Sequence, residues 1–180
     1  MATMKGGQTI KQKLADFGKK LAGAKAVRIG FLEKATYPDG KPVAMVAAIQ
    51  EFGAPNAPGG PIPPRPYFRN MIAKHKKEWP KAIANLLEEN DYDAKVTLAL
   101  VGEGVSRQLR QSIIDTMAPP LSPVTLMLRK MFGNHPEQIR LRDVWEARRR
   151  VAAGESSDGV SSKPLVWTGH MLNSVGYEVR

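Results

Sequence analysis

The three histidines are the residues best suited to bind a metal ion or to transfer protons near neutral pH. His75, His135 and His170 fall in separate predicted elements, and none of the short ligand spacings of a zinc site joins them. His75 also lies on an apolar stripe, which favours packing over ligation. The chain has no cysteine, which excludes disulfides and thiolate ligands. These residue types therefore predict no metal site.

Other arrangements associated with catalysis are incomplete. The acidic run Glu88-Glu89-Asn90-Asp91 lies near a predicted helix end, and a linear run does not supply the oxygen cage that a divalent cation needs. The run Gly133-Asn134-His135 resembles part of an HNH-type nuclease motif, but a second histidine at the right spacing is missing. Gly102-Glu103-Gly104 lacks the spacing of a phosphate cradle. These runs therefore specify neither catalysis nor a cofactor site.

A basic helix is the best candidate for contacts with phosphates. Arg148, Arg149 and Arg150 follow Trp145, which combines positive charge with a stacking surface. Trp145, however, shares an apolar face with Leu141, which favours packing in the core or in an interface. One interpretation is thus a DNA-binding module that uses the helix predicted over 136–153.

Composition limits the possible partners. The chain has 180 residues with a formal net charge of +10, which favours acidic partners such as nucleic acid or an acidic protein surface. No apolar run approaches the roughly 20 residues that a membrane span requires. Met1 to Gln8 is polar and lacks the apolar core of a signal peptide, so export by that route is not expected. The length fits a single domain over 1–180.

Alternating residues predict two strands that close the ends of the chain onto one sheet. Val27, Ile29 and Phe31 alternate with more polar residues in a strand predicted over Ala26–Leu32, and a second strand is predicted over Val175–Val179. Between them, helical spacing predicts several amphipathic helices. We therefore expect an α+β fold in which a small antiparallel sheet packs with helices.

Irregular structure is predicted for two segments. Residues 54–66 contain six prolines and two adjacent glycines, which excludes regular helix and favours a stiff strap between helices over a polyproline ligand. Residues 155–163 form a polar serine-glycine linker that we expect to be mobile in the free protein. Thr168 then has the position of an N-cap for a short helix anchored by Leu165, Trp167 and Leu172.

Four motifs in one order resemble a known family. They are Ile49-Gln50-Glu51-Phe52-Gly53, the run Ile62-Pro63-Pro64-Arg65-Pro66-Tyr67-Phe68, the run Leu121-Ser122-Pro123-Val124-Thr125-Leu126 with Arg129-Lys130 after it, and Lys163-Pro164-Leu165-Val166-Trp167-Thr168-Gly169-His170-Met171-Leu172-Asn173-Ser174. From about Val46 onward the chain resembles the virion morphogenesis proteins of Mu-like tailed bacteriophages, which complete the tail or join it to the head. Members commonly have an acidic residue in place of Trp167, so packing is expected to replace a polar contact there.

The resemblance implies a structural protein and not an enzyme. It implies an oligomeric ring in the neck of the virion, assembled in the host cytoplasm, in contact with portal or connector proteins and with the tail tube or tail terminator. Genomic DNA would pass through the lumen without sequence-specific binding, and no membrane is involved.

Interface residues are predicted in three places: the proline-rich strap with the helix end before it, the basic helix, and the segment Glu155 to Thr168. The two irregular segments are included because they have little capacity to fold alone. The residues are Glu51, Phe52, Ile62, Pro63, Arg65, Tyr67, Phe68, Trp145, Arg148, Arg149, Arg150, Trp167 and Thr168.

Overall fold

The structure is a computed structural model that describes residues 7–32, 34–57 and 60–180. The predicted polar N-terminus, Met1 to Gln8, lies mostly outside these ranges. Pro58 and Gly59, at the centre of the proline-rich loop, also lie outside them. The described elements are α1 (Gly7–Ala22), β1 (Val27–Phe31), α2 (Val43–Phe52), α3 (Tyr67–His75), α4 (Trp79–Glu89), α5 (Ala94–Asp115), α6 (Pro123–Phe132), α7 (Leu141–Ala152), α8 (His170–Asn173) and β2 (Val175–Val179). The predicted α+β class is confirmed.

The two strands pair in an antiparallel sheet, as predicted. Beside β1, the amides of Lys25 and Ala26 donate to the carbonyl of Arg180 at 2.6 and 3.0 Å, and the Arg180 amide donates to Ala26 at 2.9 Å. The N-terminal and C-terminal regions of the chain are thereby joined. β1 is shorter than the strand predicted over Ala26–Leu32 and begins and ends one residue inside it.

The chain divides into two compact units, and each is built from separate segments of sequence. Unit 1 contains the N-terminal residues through Gly30 together with Lys74–Arg107 and Gly176–Arg180, and unit 2 contains Phe31–Ala73 and Gln108–Val175. The single domain predicted over 1–180 therefore has an internal division, and α5 contributes residues to both units.

Within unit 1, α5 lies close to the sheet at Gly102. A Cβ atom placed on Gly102 would lie 2.5 Å from Cδ2 of Tyr177 and 3.0 Å from Cγ2 of Val27, so no larger residue fits without movement. Gly104, two residues further on, has nothing within 4 Å of the same position. Of these two glycines, Gly102 is thus the one that lies against the side chains of the sheet.

Within unit 2, α6 packs against α7. Met127, Leu128 and Ala147 are buried at this contact. Partly buried apolar residues surround them: Val124, Met131, Phe132, Ile139, Val144, Val151 and Trp167. α6 begins as predicted, with Ser122 as N-cap accepting the Thr125 amide at 3.2 Å and Pro123 in the first turn.

Two helix starts differ from the prediction. The helix predicted over 136–153 begins only at Leu141, because Pro136–Gln138 forms a 3₁₀ turn and Arg140 is extended. The Asp143 carboxylate accepts the Arg140 amide at 2.7 Å and fixes this start. α8 has Gly169 and not Thr168 as its N-cap, since Gly169 adopts the left-handed conformation at φ 76°. The Thr168 hydroxyl instead accepts the His170 amide at 3.2 Å.

No helix in the described ranges is both long enough and apolar enough to cross a membrane.

Candidate functional site

Glu51 is a buried carboxylate at the end of α2 that caps the start of α3. Its two oxygens accept the amides of Phe68 at 2.9 Å and Arg69 at 3.2 Å, which have no partner within their own helix. The Arg69 guanidinium donates to the same carboxylate at 2.8 Å and to the Glu51 carbonyl at 3.1 Å. A negative charge at a helix N-terminus is favourable, so Glu51 holds α3 against α2.

Arg65 is a buried cation whose partners are neutral oxygens. Its guanidinium donates to the carbonyls of Pro119 at 3.0 Å and Pro120 at 3.4 Å, and to the side-chain oxygen of Gln50 at 3.2 Å. Burial lowers the pKa of Arg65 from its ordinary value. Arg65 thereby joins the proline-rich loop to the segment after α5.

Tyr67 is the best buried aromatic residue of the motif regions, at 1% exposure. Its hydroxyl donates to the Ala47 carbonyl at 3.2 Å, and its own carbonyl accepts the Ser112 hydroxyl at 2.7 Å. Burial, with a further contribution from the charge of Glu51, raises the pKa of Tyr67 well above its ordinary value. Tyr67 therefore remains a neutral donor that fixes α3 to α2 and α5.

The proline-rich loop is closed at its base by backbone hydrogen bonds. Ala54 and Ile62 form an antiparallel bridge, with N–H···O distances of 2.8 and 2.9 Å. Gly53 adopts φ 79°, and a Cβ there would lie 2.8 Å from the Ile62 carbonyl, so the position requires glycine. These contacts orient Ile62, which is partly buried, and Pro63, which is exposed.

Arg129 of α6 binds the segment that leads to Trp167. It donates to the carbonyls of Ser161 at 2.6 Å, Pro164 at 3.3 Å and Val166 at 3.3 Å. Its guanidinium carbon lies 5.2 Å from the Trp167 ring centroid. Burial, and secondarily the positive charge of Arg65, lowers the pKa of Arg129. Both buried arginines thus bind carbonyls of irregular segments that no regular secondary structure satisfies.

Trp167 makes packing and polar contacts together. It packs at the α6–α7 contact, and its indole nitrogen donates to the Gly133 carbonyl at 2.5 Å. The packing expected at this position is therefore accompanied by a hydrogen bond. The following residues are also held, since His170 Nε2 lies 2.9 Å from the Thr36 carbonyl and its ring lies 4.6 Å from that of Tyr37.

The predicted linker 155–163 has several contacts with α6. Lys130 donates to the Glu155 carboxylate at 3.2 Å and to the Ser156 carbonyl at 2.7 Å, while Arg129 holds Ser161. The mobility of this linker in solution stays a prediction.

An exposed surface on α7, here called the α7 patch, consists of Leu141, Trp145 and Arg148. Leu141 and Trp145 are each 63% exposed, and the Arg148 guanidinium carbon lies 5.1 Å from the Trp145 ring centroid. The core-packing alternative for Trp145 is therefore wrong. α7 packs on α6 through Val144, Ala147 and Val151, so Trp145 falls on the adjoining face.

Carboxylates neutralise part of the charge on the same helix. Glu146 pairs with Arg149 and with Arg150, the latter at 3.0 Å, and the hydrogen bond from Arg150 is the largest cause that lowers the pKa of Glu146. Arg142 lies 3.6 Å from the Asp143 carboxylate.

The predicted site residues do not form one site within unit 2, and Trp167 packs separately at the α6–α7 contact. Glu51, Arg65, Tyr67 and Phe68 meet in one hydrogen-bonded framework, whereas Trp145 and the arginines after it lie on the outer surface of α7. Phe52, predicted with the first group, is 66% exposed and has the Arg69 guanidinium 5.1 Å from its ring centroid.

Sequence reasoning missed Gln50, Arg69 and Arg129 as parts of this framework. The signal for Arg129 was its position directly after Met127 and Leu128 on a helix, where a buried basic residue must find acceptors.

Within the described residues, no group of three or more histidine, aspartate or glutamate side chains is placed to hold a metal ion. A scan against protein-family models, a search of curated proteins and a search of solved structures each returned no match.

Proposed function

We propose that this protein is a structural component of the neck of a tailed bacteriophage, where it completes the tail and joins it to the DNA-filled head. The observation that supports this most directly is the framework of unit 2. The motifs that resemble the morphogenesis family are separate in sequence, and Glu51 and Arg65 connect the first two of them. Arg129 connects the third to the fourth.

The chemistry of this framework fits a scaffold. Its charged groups bind mainly backbone amides and carbonyls of this chain, which positions the segments that carry the motifs. Large exposed side chains, among them Phe52 and Trp145, offer contact area for neighbouring subunits. An oligomeric ring in contact with connector proteins and the tail tube is the arrangement we propose.

A DNA-binding module remains the second candidate. Its support is the exposed Trp145 ring beside Arg148, a pair able to stack on bases and to approach phosphates. Binding of this kind weakens steeply as salt increases, whereas a largely apolar protein contact does not.

Complementation of head-to-tail joining tests the proposed function. Heads and tails are produced from a phage genome that lacks this chain and are mixed with the purified protein. Electron microscopy is expected to show joined particles only after the protein is added. Equal joining with and without the protein would refute the proposal.

A further inference from the structure

The first helix carries an apolar stripe that unit 1 leaves exposed. The members of this α1 stripe are Ile10 and Leu14, which are 60% and 64% exposed, and Phe17 and Leu21, which are each 40% exposed. Every residue over 10–22 belongs to the exposed class. Because a helix of 16 residues is only marginally stable in water without packing, the α1 stripe requires a surface that covers it.

The spacing of the α1 stripe is that of a contact between two helices. Its members follow one another at intervals of four, three and four residues, the pattern by which helices meet along a coiled coil. If two copies of α1 lie antiparallel, Ile10 of one copy faces Leu21 of the other, and Leu14 faces Phe17. Both pairs are symmetric about the point between residues 15 and 16, so one register brings all members of the two stripes together.

An acidic segment lies beside the C-terminal end of α1. Residues 88–93, here called the acidic turn, carry four carboxylates and no basic residue. Lys20 pairs with Asp91, and the ring centroid of Phe17 lies 4.9 Å from that of Tyr92. The nearby carboxylates raise the pKa of Lys20. A partner that reaches this end of α1 therefore enters a negative potential.

The N-terminal half of α1 has the charge that this potential attracts. Lys11 and Lys13 flank the α1 stripe there, and an antiparallel partner brings them toward the acidic turn of the other copy. Lys20, which would approach Lys13 of the other copy, is already paired with Asp91, and this pairing reduces the repulsion. A parallel pair would instead bring the two acidic turns to the same end, where they repel each other.

Two other occupants fit less well. An anionic lipid surface would attract the lysines, but the four carboxylates of the acidic turn would oppose its approach. Nucleic acid would meet the same carboxylates and would leave the α1 stripe without an apolar partner. The formal net charge of +10 opposes self-association in general. Screening confines that effect to about 8 Å at physiological salt, so the local charges at the contact decide.

We propose that two copies of this protein pair through antiparallel α1 helices about a two-fold axis. The α1 stripes pack on each other, and Lys11 and Lys13 of each copy lie beside the acidic turn of the other. A two-fold contact closes on itself and does not build a ring, which needs a head-to-tail contact. The pair therefore describes the protein free in solution and does not depend on the proposed function. Because two short helices bury a small area, the pair is weak and reversible.

The first experiment measures self-association of the full chain by sedimentation velocity over about 1 to about 300 µM, a range suited to a small interface. It compares the wild type with Leu14→Glu and with the matched control Leu141→Glu, since Leu141 of α7 is 63% exposed. Circular dichroism verifies that each variant is folded. We expect Leu14→Glu to raise the dissociation constant of the dimer by about tenfold or more, whereas Leu141→Glu should stay within about twofold.

The second experiment tests the register and does not alter the α1 stripe. The chain has no cysteine, so introduced thiols report on their own positions, and Gly18 has open space for a side chain. In the antiparallel pair Lys11 lies near Gly18 of the other copy, whereas the two copies of Lys11 are about 13 Å apart along the helices. Lys11→Cys and Gly18→Cys are mixed and treated with a short bismaleimide. Mixed dimers should exceed the dimers that Lys11→Cys forms alone.

Several results would overturn the inference. They are a wild type that stays monomeric throughout, dimers of Leu14→Glu as strong as those of the wild type, or an equal loss in Leu141→Glu. Cross-linking of Lys11→Cys with itself as readily as with Gly18→Cys would exclude the antiparallel register. A monomeric wild type that binds anionic vesicles, and loses this binding in Leu14→Glu, would assign the α1 stripe to a lipid surface.

Discussion

Glu51 is the residue whose side chain most directly stabilises the start of α3. In Glu51→Ala, the amides of Phe68 and Arg69 lose their acceptor inside the protein. Because part-buried amides lose an ionised acceptor, we expect the free energy of unfolding to fall by about 2 kcal/mol. Urea denaturation followed by circular dichroism measures the change.

The matched control is Glu103→Ala. Glu103 pairs with Arg107 on the exposed surface of α5 at 3.1 Å, and such pairs contribute about 0.5 kcal/mol or less. Similar losses in the two variants would mean that the carboxylate of Glu51 does not stabilise α3.

Tyr67 gives the stability of the protein a dependence on alkaline pH. Because burial raises its pKa in the folded chain, the unfolded chain loses the phenolic proton first as the pH rises above about 10. The stabilisation is therefore complete below that pH and declines above it by up to about 1.4 kcal/mol per pH unit.

Tyr67→Phe should remove this part of the decline, although it also costs about 1 kcal/mol at neutral pH through the lost bond to Ala47. Urea midpoints measured from pH 8 to 11 provide the comparison. An identical alkaline slope in the two proteins would show that Tyr67 titrates normally.

At the scale of the elements, the fit of α5 against the sheet predicts opposite effects at two neighbouring glycines. Gly102→Ala would place a methyl group against Tyr177 and Val27, so overpacking should exceed the gain in helix propensity and destabilise the protein by about 1–2 kcal/mol. Gly104→Ala meets open space and should stabilise the protein by about 0.5–1 kcal/mol. Thermal unfolding of both variants measures the difference, and equal shifts would contradict the packing of α5 described above.

Arg129 should control the order of the segment 155–168. In Arg129→Lys the positive charge remains, but an ammonium cannot reproduce the planar fork that reaches Ser161, Pro164 and Val166. We expect amide hydrogen exchange in peptides from 155–168 to accelerate by about tenfold or more, since these carbonyl contacts hold the segment in place. Lys130→Arg serves as control, because it keeps a donor toward Glu155. Unchanged exchange in Arg129→Lys would show that other contacts order the segment.

At the scale of the whole molecule, the sequence predicted those features that depend on local periodicity. The α+β class and the pairing of β1 with β2 follow from alternation over a few residues, and the start of α6 follows from Ser122 and Pro123. The start of α7 was misplaced because a proline can open a 3₁₀ turn as well as an α-helix.

The framework of unit 2 was only partly predictable. Glu51, Arg65 and Tyr67 were predicted as interface residues. The sequence does not show, however, that Arg65 binds carbonyls 54 and 55 positions further along the chain. Such contacts depend on where irregular segments leave carbonyls unpaired, which no short pattern encodes. For the same reason, the exposure of Trp145 could not be separated from burial, because both outcomes fit an amphipathic helix.

The final strand, β2, should be indispensable to unit 1. Unit 1 is assembled from three separate segments of the chain, and the last segment supplies most of β2. Removal of Gly176–Arg180 deletes most of β2, the partners of Lys25 and Ala26, and the Tyr177 ring that covers Gly102. An isolated β1 has no other strand partner among the described residues, so its amides and those of 94–107 should lose protection in hydrogen exchange. Arg180→Ala is the control, since it keeps the backbone bonds to Lys25 and Ala26 and changes only side-chain contacts, among them the one to Glu178. Full protection of β1 in the shortened chain would show that unit 1 is stabilised without the sheet.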